Sequence, residues 1–400
     1  MISFDLAYQQ MIERIQPLGD ELVPLLDSVD RVTSVDLASM VASPTDDVSL
    51  KDGYAVRSED VANASLEKPA TLKLIGIIPA GGDWHGEVHS GEAVKILSGG
   101  RVPKGADAVL AEEYTVEADQ VVTAYADAQA GRNILLAGND IHVGKHLINR
   151  GERLSPMQVG LLASAGYVDI PVTRLPKVAV IATGDEVVAP GNPLPDGKLY
   201  ASNLVTLAAW CVKYGFLPQT TVVPDERQKI ADALENAVNN FDVVLTSGGA
   251  WKSDRDLVVH ILDEMGWEKV FHRIKMGPGK AVGFGLCRGK PVFLLPGGPP
   301  SNHMAFLQFA LPAIKKLAGW QDEGFPMVKV QLAEKLRGQI DWTQFEHGFL
   351  ALNEQGEVTF SPSRQKSRLQ MMAASDAIAK IPEGVDCIPE GEWIKVQKLG

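Results

Sequence analysis

The spacing of apolar positions changes character three times along the chain. In residues 3–16, Leu6, Met11, Ile12 and Ile15 fall near helical spacing, with Ser3 placed as an N-cap and Pro17 as a stop. Residues 20–40 carry a second mixed pattern that predicts another helix ending before Ser43-Pro44. From 46 to 137 the apolar runs become short, at 70–78, 93–97, 108–111 and 120–124, separated by Gly, Pro and Asp. That spacing predicts a small all-β unit. Residues 156–165 predict a helix with Pro156 in its first turn and Gly166 closing it. The helices at 3–16 and 156–165 are expected to pack together and flank the β unit, which is then an insertion.

After Pro176 strands and helices alternate. Strands are expected at 177–182, 216–223, 241–246 and 290–295, and helices at 202–214, 226–239, 254–265 and 301–317. This is the rhythm of a doubly wound parallel sheet. From 326 the chain reads as β-rich, with one helical stretch at 370–379. The expected fold class is multidomain α/β plus β. Its parts are an N-terminal helical region (1–45 and 138–176), an inserted β domain (46–137), a doubly wound α/β domain (177–320) and a C-terminal β domain (321–400).

Composition narrows the function. The chain has 400 residues, 45% hydrophobic and 22% charged, which excludes a disordered or fibrous protein. Its 38 basic and 50 acidic residues give a net charge of −12. No basic face is visible, so nucleic acid is not an expected partner, while a local pocket for a small anion stays open. Cys211, Cys287 and Cys387 are odd in number and show no metal or CxxC spacing, which points to a reducing compartment. Residues 1–10 lack signal-peptide character and no apolar run reaches membrane-spanning length. A cytoplasmic protein with no membrane association is expected.

In open parallel sheets, ligands bind beyond the carboxyl ends of the strands. Three strands here end in unusual loops: Thr183-Gly184-Asp185-Glu186, Ser247-Gly248-Gly249, and Pro296-Gly297-Gly298-Pro299-Pro300-Ser301. Glycine lets backbone N–H groups approach an anion, although strand-to-helix turns use glycine for geometry alone. No dinucleotide GxGxxG and no Walker-type GxxxxGK[ST] occurs. Asp185, Glu186, Asp225, Asp254 and Asp256 gather near these loops in sequence. Such acids either complement helix dipoles or hold Mg²⁺, which bridges carboxylate and phosphate. Arg273, Lys275 and Lys280 bracket Gly277-Pro278-Gly279 and read equally well as phosphate contacts or as a solvated loop.

Taken together and in order, several segments resemble the MoeA family of molybdopterin molybdenumtransferases, to which the gephyrin E domain is related. They are Asp52-Gly53-Tyr54-Ala55-Val56, the run from Pro103 through Gly105-Ala106-Asp107-Ala108-Val109, Gly138-Asn139-Asp140-Ile141, Thr183-Gly184-Asp185-Glu186, Ser202-Asn203, Ser247-Gly248-Gly249 through Asp256, and Leu295-Pro296-Gly297 through Pro299 and Ser301. The resemblance implies an elongated homodimer that takes adenylylated molybdopterin and molybdate, cleaves the adenylate and inserts the metal at the dithiolene. It implies that Asp52, Ser98 and Asp140 face the site from the partner subunit. Glu186, Asp225 and Asp256 would line the α/β side and hold Mg²⁺ or orient substrate. The implied pterin-binding set is Thr183, Gly184, Asp185, Ser247, Gly248, Gly249, Trp251, Lys252, Ser253, Arg273, Lys275, Lys280, Pro296, Gly297, Pro299, Ser301 and, from the C-terminal domain, Ser367. A further cofactor-assembly protein or a molybdoenzyme is the implied client.

The chain departs from the family pattern at the implied pocket. Trp251-Lys252-Ser253 stands where the family has S-V-G, and Gly297-Gly298-Pro299 where it has G-N-P. Gly277-Pro278-Gly279-Lys280 replaces K-P-G-K, and Asn133-Ile134-Leu135 replaces N-I-R. Ser98 stands where the family usually has Thr, and Arg273 where it has Lys. Each lost charged contact weakens anion binding by roughly 1.5–3 kcal/mol, while Lys51 and Lys252 return some charge. The pattern is that of a diverged member. It is expected to insert molybdate or tungstate with Mg²⁺ and release AMP. The alternatives are a non-catalytic molybdopterin-binding or delivery protein and a scaffold.

Overall fold

A computed structural model describes residues 1–248, 257–322, 324–364 and 368–400. The chain has the multidomain α/β-plus-β architecture, and it divides into two compact units, residues 22–172 and residues 1–21 with 173–400.

In residues 22–172, a six-stranded sheet runs in the order Ala108–Ala111, Gly53–Val56, Glu92–Ile96, Ala70–Ile78, Val121–Ala124, Thr115–Ala118. Alternation along the strands gives it two buried faces. Tyr54, Val56, Leu72, Leu110 and Val122 pack on one, and Ala55, Ile78, Val94, Ile96 and Val109 on the other. Asp52-Gly53, which reads as a turn, instead opens a fully buried strand. Gly53 is required there because a Cβ would run into the Leu110 carbonyl of the paired strand.

Residues 20–40 do not form the expected helix. Asp20–Pro24 is a strand, Leu25–Ser28 a single 3-10 turn, and Leu37–Ala38 a short strand paired with His146–Ile148. Pro24 lies inside the segment and would remove a helical hydrogen bond, and the surrounding β-branched residues favour extended backbone. Pro156–Ser164 is a helix, started by a capping box between Ser155 and Gln158. Its Val159 and Leu162 bury with Val23, Leu37, Ile148 and Leu154. The N-terminal helix, Phe4–Arg14, buries Phe4, Ala7 and Met11, with Ile15 just beyond, in the core of the other unit, and Leu6 faces solvent. The two helices therefore feed separate cores.

In the second unit a six-stranded sheet has the order Leu217–Val223, Lys177–Thr183, Val243–Ser247, Lys290–Leu295, Gly283–Cys287, Glu268–His272. The first four strands are parallel, but the last two are antiparallel, so the sheet is mixed rather than wholly parallel. Val178, Val180, Val243, Leu245 and Phe293 bury on one face, and Ala179, Ile181, Val244, Val292 and Leu294 on the other. Burial on both faces explains their continuous apolar runs. The helix after the fourth strand starts at Pro299, passes through a π segment at Phe306–Ala310 and ends at Leu317.

The C-terminal part is a closed five-stranded barrel. Its order is Thr343–Leu352, Val358–Pro362, Met327–Leu332, Trp393–Lys398, Ala377–Ile381, and the last strand pairs back onto the first. Closure leaves no free edge. The expected helix at 370–379 is shorter, Arg368–Ala374, because Ala377, Ile378 and Ala379 serve as barrel strand. Met276 pairs with Thr343, so the 274–282 hairpin joins the α/β sheet to the barrel. Among the described residues, no helix is long and apolar enough to cross a membrane.

Asp242 locks the entry to the first parallel strand. It accepts from Arg174 Nη1 and Nη2 at 2.9 and 2.7 Å and from the Lys177 N–H at 2.8 Å. Those three donors hold its carboxyl below the usual carboxylate range although burial opposes them. Asp242→Ala is expected to lower stability by roughly 2–4 kcal/mol, read as the urea midpoint at unchanged slope.

Candidate functional site

Three parallel strands end side by side at Thr183, Ser247 and Leu295. Ser247 and Gly248 join their loops. The Gly248 N–H donates to the Leu295 carbonyl at 3.2 Å. Gly248 has φ +107°, and a Cβ there would lie 2.5 Å from the Thr183 carbonyl oxygen, so only glycine fits. Asn302 is buried, and its amide donates to Ser247 Oγ at 3.0 Å and to the Pro296 carbonyl at 2.9 Å. Asn203 donates to the Gly297 carbonyl at 2.8 Å and to Ser247 Oγ at 3.4 Å. Two amides thus tie the second loop to the third. Sequence reasoning noted Asn203 only as part of a motif and missed Asn302. The signal was present: Ser202-Asn203 and Ser301-Asn302 both sit at helix starts that follow a strand.

The acids lie at the first loop. Asp185 Oδ1 accepts from the Asp225 N–H at 3.1 Å. The Glu186 carboxylate folds back over Gly184. Lys198 Nζ donates to the Asp185 carbonyl. Burial, and then the charges of Asp185 and Glu186, push the Asp225 carboxyl up. Crowded carboxylates of this kind are relieved by a divalent cation, and an all-oxygen donor set suits Mg²⁺. Among the described residues, no three His, Cys, Asp or Glu side chains converge as a complete metal cage. Glu186 and Asp225 are available as ligands, and Asp256 lies outside the described residues.

The cations lie beside the third loop. A cavity of about 390 Å³ is lined by Arg273, Lys280, Pro296, Gly298 and Ser301, and from the barrel side by Gln339, Trp342 and Gln344. Lys280 Nζ sits 5.1 Å from the Trp342 ring centroid, a cation–π distance. Gly297 and Pro299 flank Gly298 at the start of the Pro299 helix. Lys275 does not line this cavity. It pairs with Glu383 at 2.8 Å, which pushes its ammonium up. The structure therefore brings Arg273, Lys280, Pro296 and Ser301 together and engages Lys275 elsewhere. The three barrel residues were missed because nothing in a β-strand pattern marks which residue faces a cavity.

In residues 22–172, Asp52 and Ser98 meet: Asp52 Oδ1 accepts from the Ser98 N–H at 2.7 Å. Asp140 is exposed on a separate turn, where its carbonyl accepts from Lys145 Nζ at 3.0 Å. Gly249, Trp251, Lys252, Ser253, Asp254, Asp256 and Ser367 lie outside the described residues.

Family models match along nearly the whole length: the MoeA N-terminal region (domain I and II) over 2–166, a probable molybdopterin binding domain over 179–316, and the MoeA C-terminal region (domain IV) over 329–399. A molybdopterin molybdenumtransferase of Haemophilus influenzae is 32% identical over 365 residues, covering 90% of this chain and 88% of its own. The chain belongs to the MoeA family. A molybdopterin molybdenumtransferase of a Nostoc species is 30% identical, covering 94% of this chain and 91% of its own. A crystal structure of a MoeA protein of molybdopterin biosynthesis from Pyrococcus horikoshii superposes with a TM-score of 0.85 at 32% identity, covering 100% of this chain and 99% of that one. Within this MoeA-family chain, the three strand-end loops fall inside the 179–316 match, Trp342 inside the C-terminal match, and Asp52, Ser98 and Asp140 inside the N-terminal one.

Proposed function

We propose that this chain is a molybdenumtransferase that inserts molybdate, or tungstate, into adenylylated molybdopterin and releases AMP. It is an enzyme of molybdenum cofactor biosynthesis, and molybdopterin is its substrate. The observation that carries the finer reading is the placement of an acidic and a cationic group on one sheet edge. Asp185, Glu186 and Asp225 stand at the first loop and Arg273 and Lys280 beside the third, with Gly248 touching both Thr183 and Gly297 between them.

In this mechanism Arg273 and Lys280 hold the phosphates of the substrate, and Pro296, Pro299 and Ser301 shape the wall beside them. Glu186 and Asp225, with Asp256, would hold Mg²⁺, which when bound would supply charge stabilisation at the scissile phosphoanhydride. A water oxygen bonds to the AMP phosphorus while the bridging oxygen departs on the pterin phosphate with its bonding electrons; the water gives up a proton to solvent, and AMP and the pterin phosphate separate. Asn203 and Asn302 keep the loops in place, so positioning provides much of the rate. In a homodimer, a second copy supplies Asp52, Ser98 and Asp140, and the loaded cofactor passes to a further assembly protein or a molybdoenzyme. The setting is cytoplasmic.

Incubation with adenylylated molybdopterin, Mg²⁺ and molybdate or tungstate tests this reading through AMP release. Oxyanion-dependent release is expected. Pterin binding without release would make the chain a carrier, and absence of both would leave a scaffold. Trp342 is expected to position Lys280. Trp342→Leu should raise KM for the pterin substrate about threefold to tenfold with kcat nearly unchanged, and Trp342→Phe should restore most of the loss.

A further inference from the structure

The parallel strand that leads to the acids ends at Thr183, yet the helix behind it starts only at Ser202. Strand-to-helix connections of this kind usually run about two to six residues. The extra chain leaves the sheet edge after Glu186 and comes back to it. Pro190, Pro193 and Pro195 keep it out of helix and sheet, and Gly191 and Gly197 turn it with φ of +96° and +76°. Residues 190–197 are exposed. On its return the segment ties itself down. Val187–Val188 and Leu199–Tyr200 pair as a short parallel ribbon. The Leu199 N–H donates to the Glu186 carbonyl at 2.8 Å, and the Ala201 N–H to the Val188 carbonyl at 2.9 Å. The Tyr200 hydroxyl closes the segment on itself by donating to the Asn192 carbonyl at 3.2 Å.

Lys198 does something else. It is half-buried between the exposed Gly197 and Leu199, and its Nζ donates to the Asp185 carbonyl. Two successive carbonyls, of Asp185 and Glu186, are thus held by two successive residues, Lys198 through its side chain and Leu199 through its backbone. Those carbonyls belong to the peptide planes on either side of the Glu186 Cα. With both planes fixed, the direction in which the Glu186 side chain leaves the backbone is fixed as well. The choice of acceptor matters too. The ammonium takes a main-chain oxygen, and among the described residues Lys198 forms no ion pair with a carboxylate. An ammonium bonded to the Glu186 or Asp225 carboxylate would occupy an oxygen that a divalent cation needs. Here the Glu186 carboxylate lies over Gly184, and Asp185 Oδ1 takes the Asp225 N–H at 3.1 Å.

We propose that Lys198 is a positioning residue for the divalent cation: it holds the backbone on the N-terminal side of Glu186, so that this carboxylate and that of Asp225 are presented together. The proposal rests on the reading of Glu186 and Asp225 as cation ligands. Ligands held in place lose less freedom on binding, and the gain appears as affinity. The charge of Lys198 works the other way, since a nearby ammonium repels a divalent cation. Loss of the bond and loss of the charge therefore change cation affinity with opposite signs.

Titration of Mn²⁺ alone into the full chain, without pterin and followed by electron paramagnetic resonance, reads that sign. Lys198→Met removes both the donor and the charge and should weaken Mn²⁺ binding about fivefold to tenfold. Lys198→Arg keeps a cationic donor and should bind within about twofold of the native chain. Tyr200→Phe removes the bond to Asn192 and spares Lys198, so it should leave Mn²⁺ affinity unchanged. Thermal melting checks that all three variants are folded. Unchanged or tighter binding in Lys198→Met overturns the proposal. Equal weakening in Tyr200→Phe also overturns it, because the effect would then belong to the fold of the segment and not to the Lys198 bond. Glu186→Gln separates this failure from that of the cation reading. If Glu186→Gln weakens Mn²⁺ and Lys198→Met does not, Lys198 alone loses its role. If Glu186→Gln leaves Mn²⁺ affinity at the native value, the cation reading falls and the role of Lys198 falls with it.

Discussion

Glu186→Gln is expected to lower AMP release by roughly 10²–10³-fold without unfolding the protein. The substitution keeps the shape of the side chain and removes its charge. The Glu186 carboxylate lies over Gly184 beside Asp185 and Asp225, so its removal takes away an anionic ligand while leaving the loop geometry alone. Asp225→Asn should be as damaging to turnover but should raise the melting temperature in the absence of Mg²⁺. The sign follows from the raised Asp225 carboxyl: an acid pushed up in the folded state favours folding when protonated, and that benefit is lost as pH rises through its folded value. At neutral pH the native chain therefore carries an unrelieved repulsion that the amide removes. Opposite signs for activity and stability are the mark of a site built for function. Mn²⁺ titration followed by electron paramagnetic resonance should show weaker binding in both variants. Wild-type release rates in Glu186→Gln would remove the metal role, whatever the melting curves did.

Much of the fold could be read from the sequence because burial is periodic. The strands at 177–183 and 290–295 bury on both faces, and their unbroken apolar runs mark them. Failures came where two constraints compete over a short stretch. Residues 20–40 hold apolar residues at mixed spacing, and Pro24 decides for extended chain, a choice a periodicity count cannot weigh. Asp52-Gly53 has turn chemistry, yet Gly53 is there for close approach to Leu110 within a sheet. At the candidate site, the loops and acids were legible because three glycine-bearing loops follow three strands of one predicted sheet and the carboxylates sit beside them in sequence. Asn302 and Trp342 were not, since each owes its role to a partner distant in sequence: Ser247 for the first and Lys280 for the second.

Acid should destabilise this protein earlier than its carboxylates alone would dictate. His303 and His347 are buried with rings stacked 5.7 Å apart, and burial pushes them down to about 3 and about 4. Among the described residues, Nδ1 of the first and Nε2 of the second have no hydrogen-bond partner. In the unfolded chain a histidine titrates near ~6.5. Between that value and 3–4 the unfolded state binds more protons than the folded one, so stability is complete above ~6.5 and falls as pH drops. Each ring contributes a slope approaching ~1.4 kcal/mol per pH unit, and at pH 5 the pair would cost roughly 4 kcal/mol. The Asp242–Arg174 pair acts in a different window. The Asp242 carboxyl is held low, so its stabilisation is lost only as pH falls below ~4. Urea midpoints measured from pH 7.5 to 5 read the histidines against the raised Asp225 and Glu346 carboxyls, which act in the opposite sense, so the difference between native and His347→Phe chains is the readout. His347→Phe keeps the hydrogen bond that the Trp210 indole N–H donates to His303 Nε2 at 2.9 Å, and should remove at least half of the loss across that range. A native midpoint that stays level from pH 6.5 to 5 would mean that the two rings accept protons without unfolding, and that water or an anion reaches them inside the folded chain.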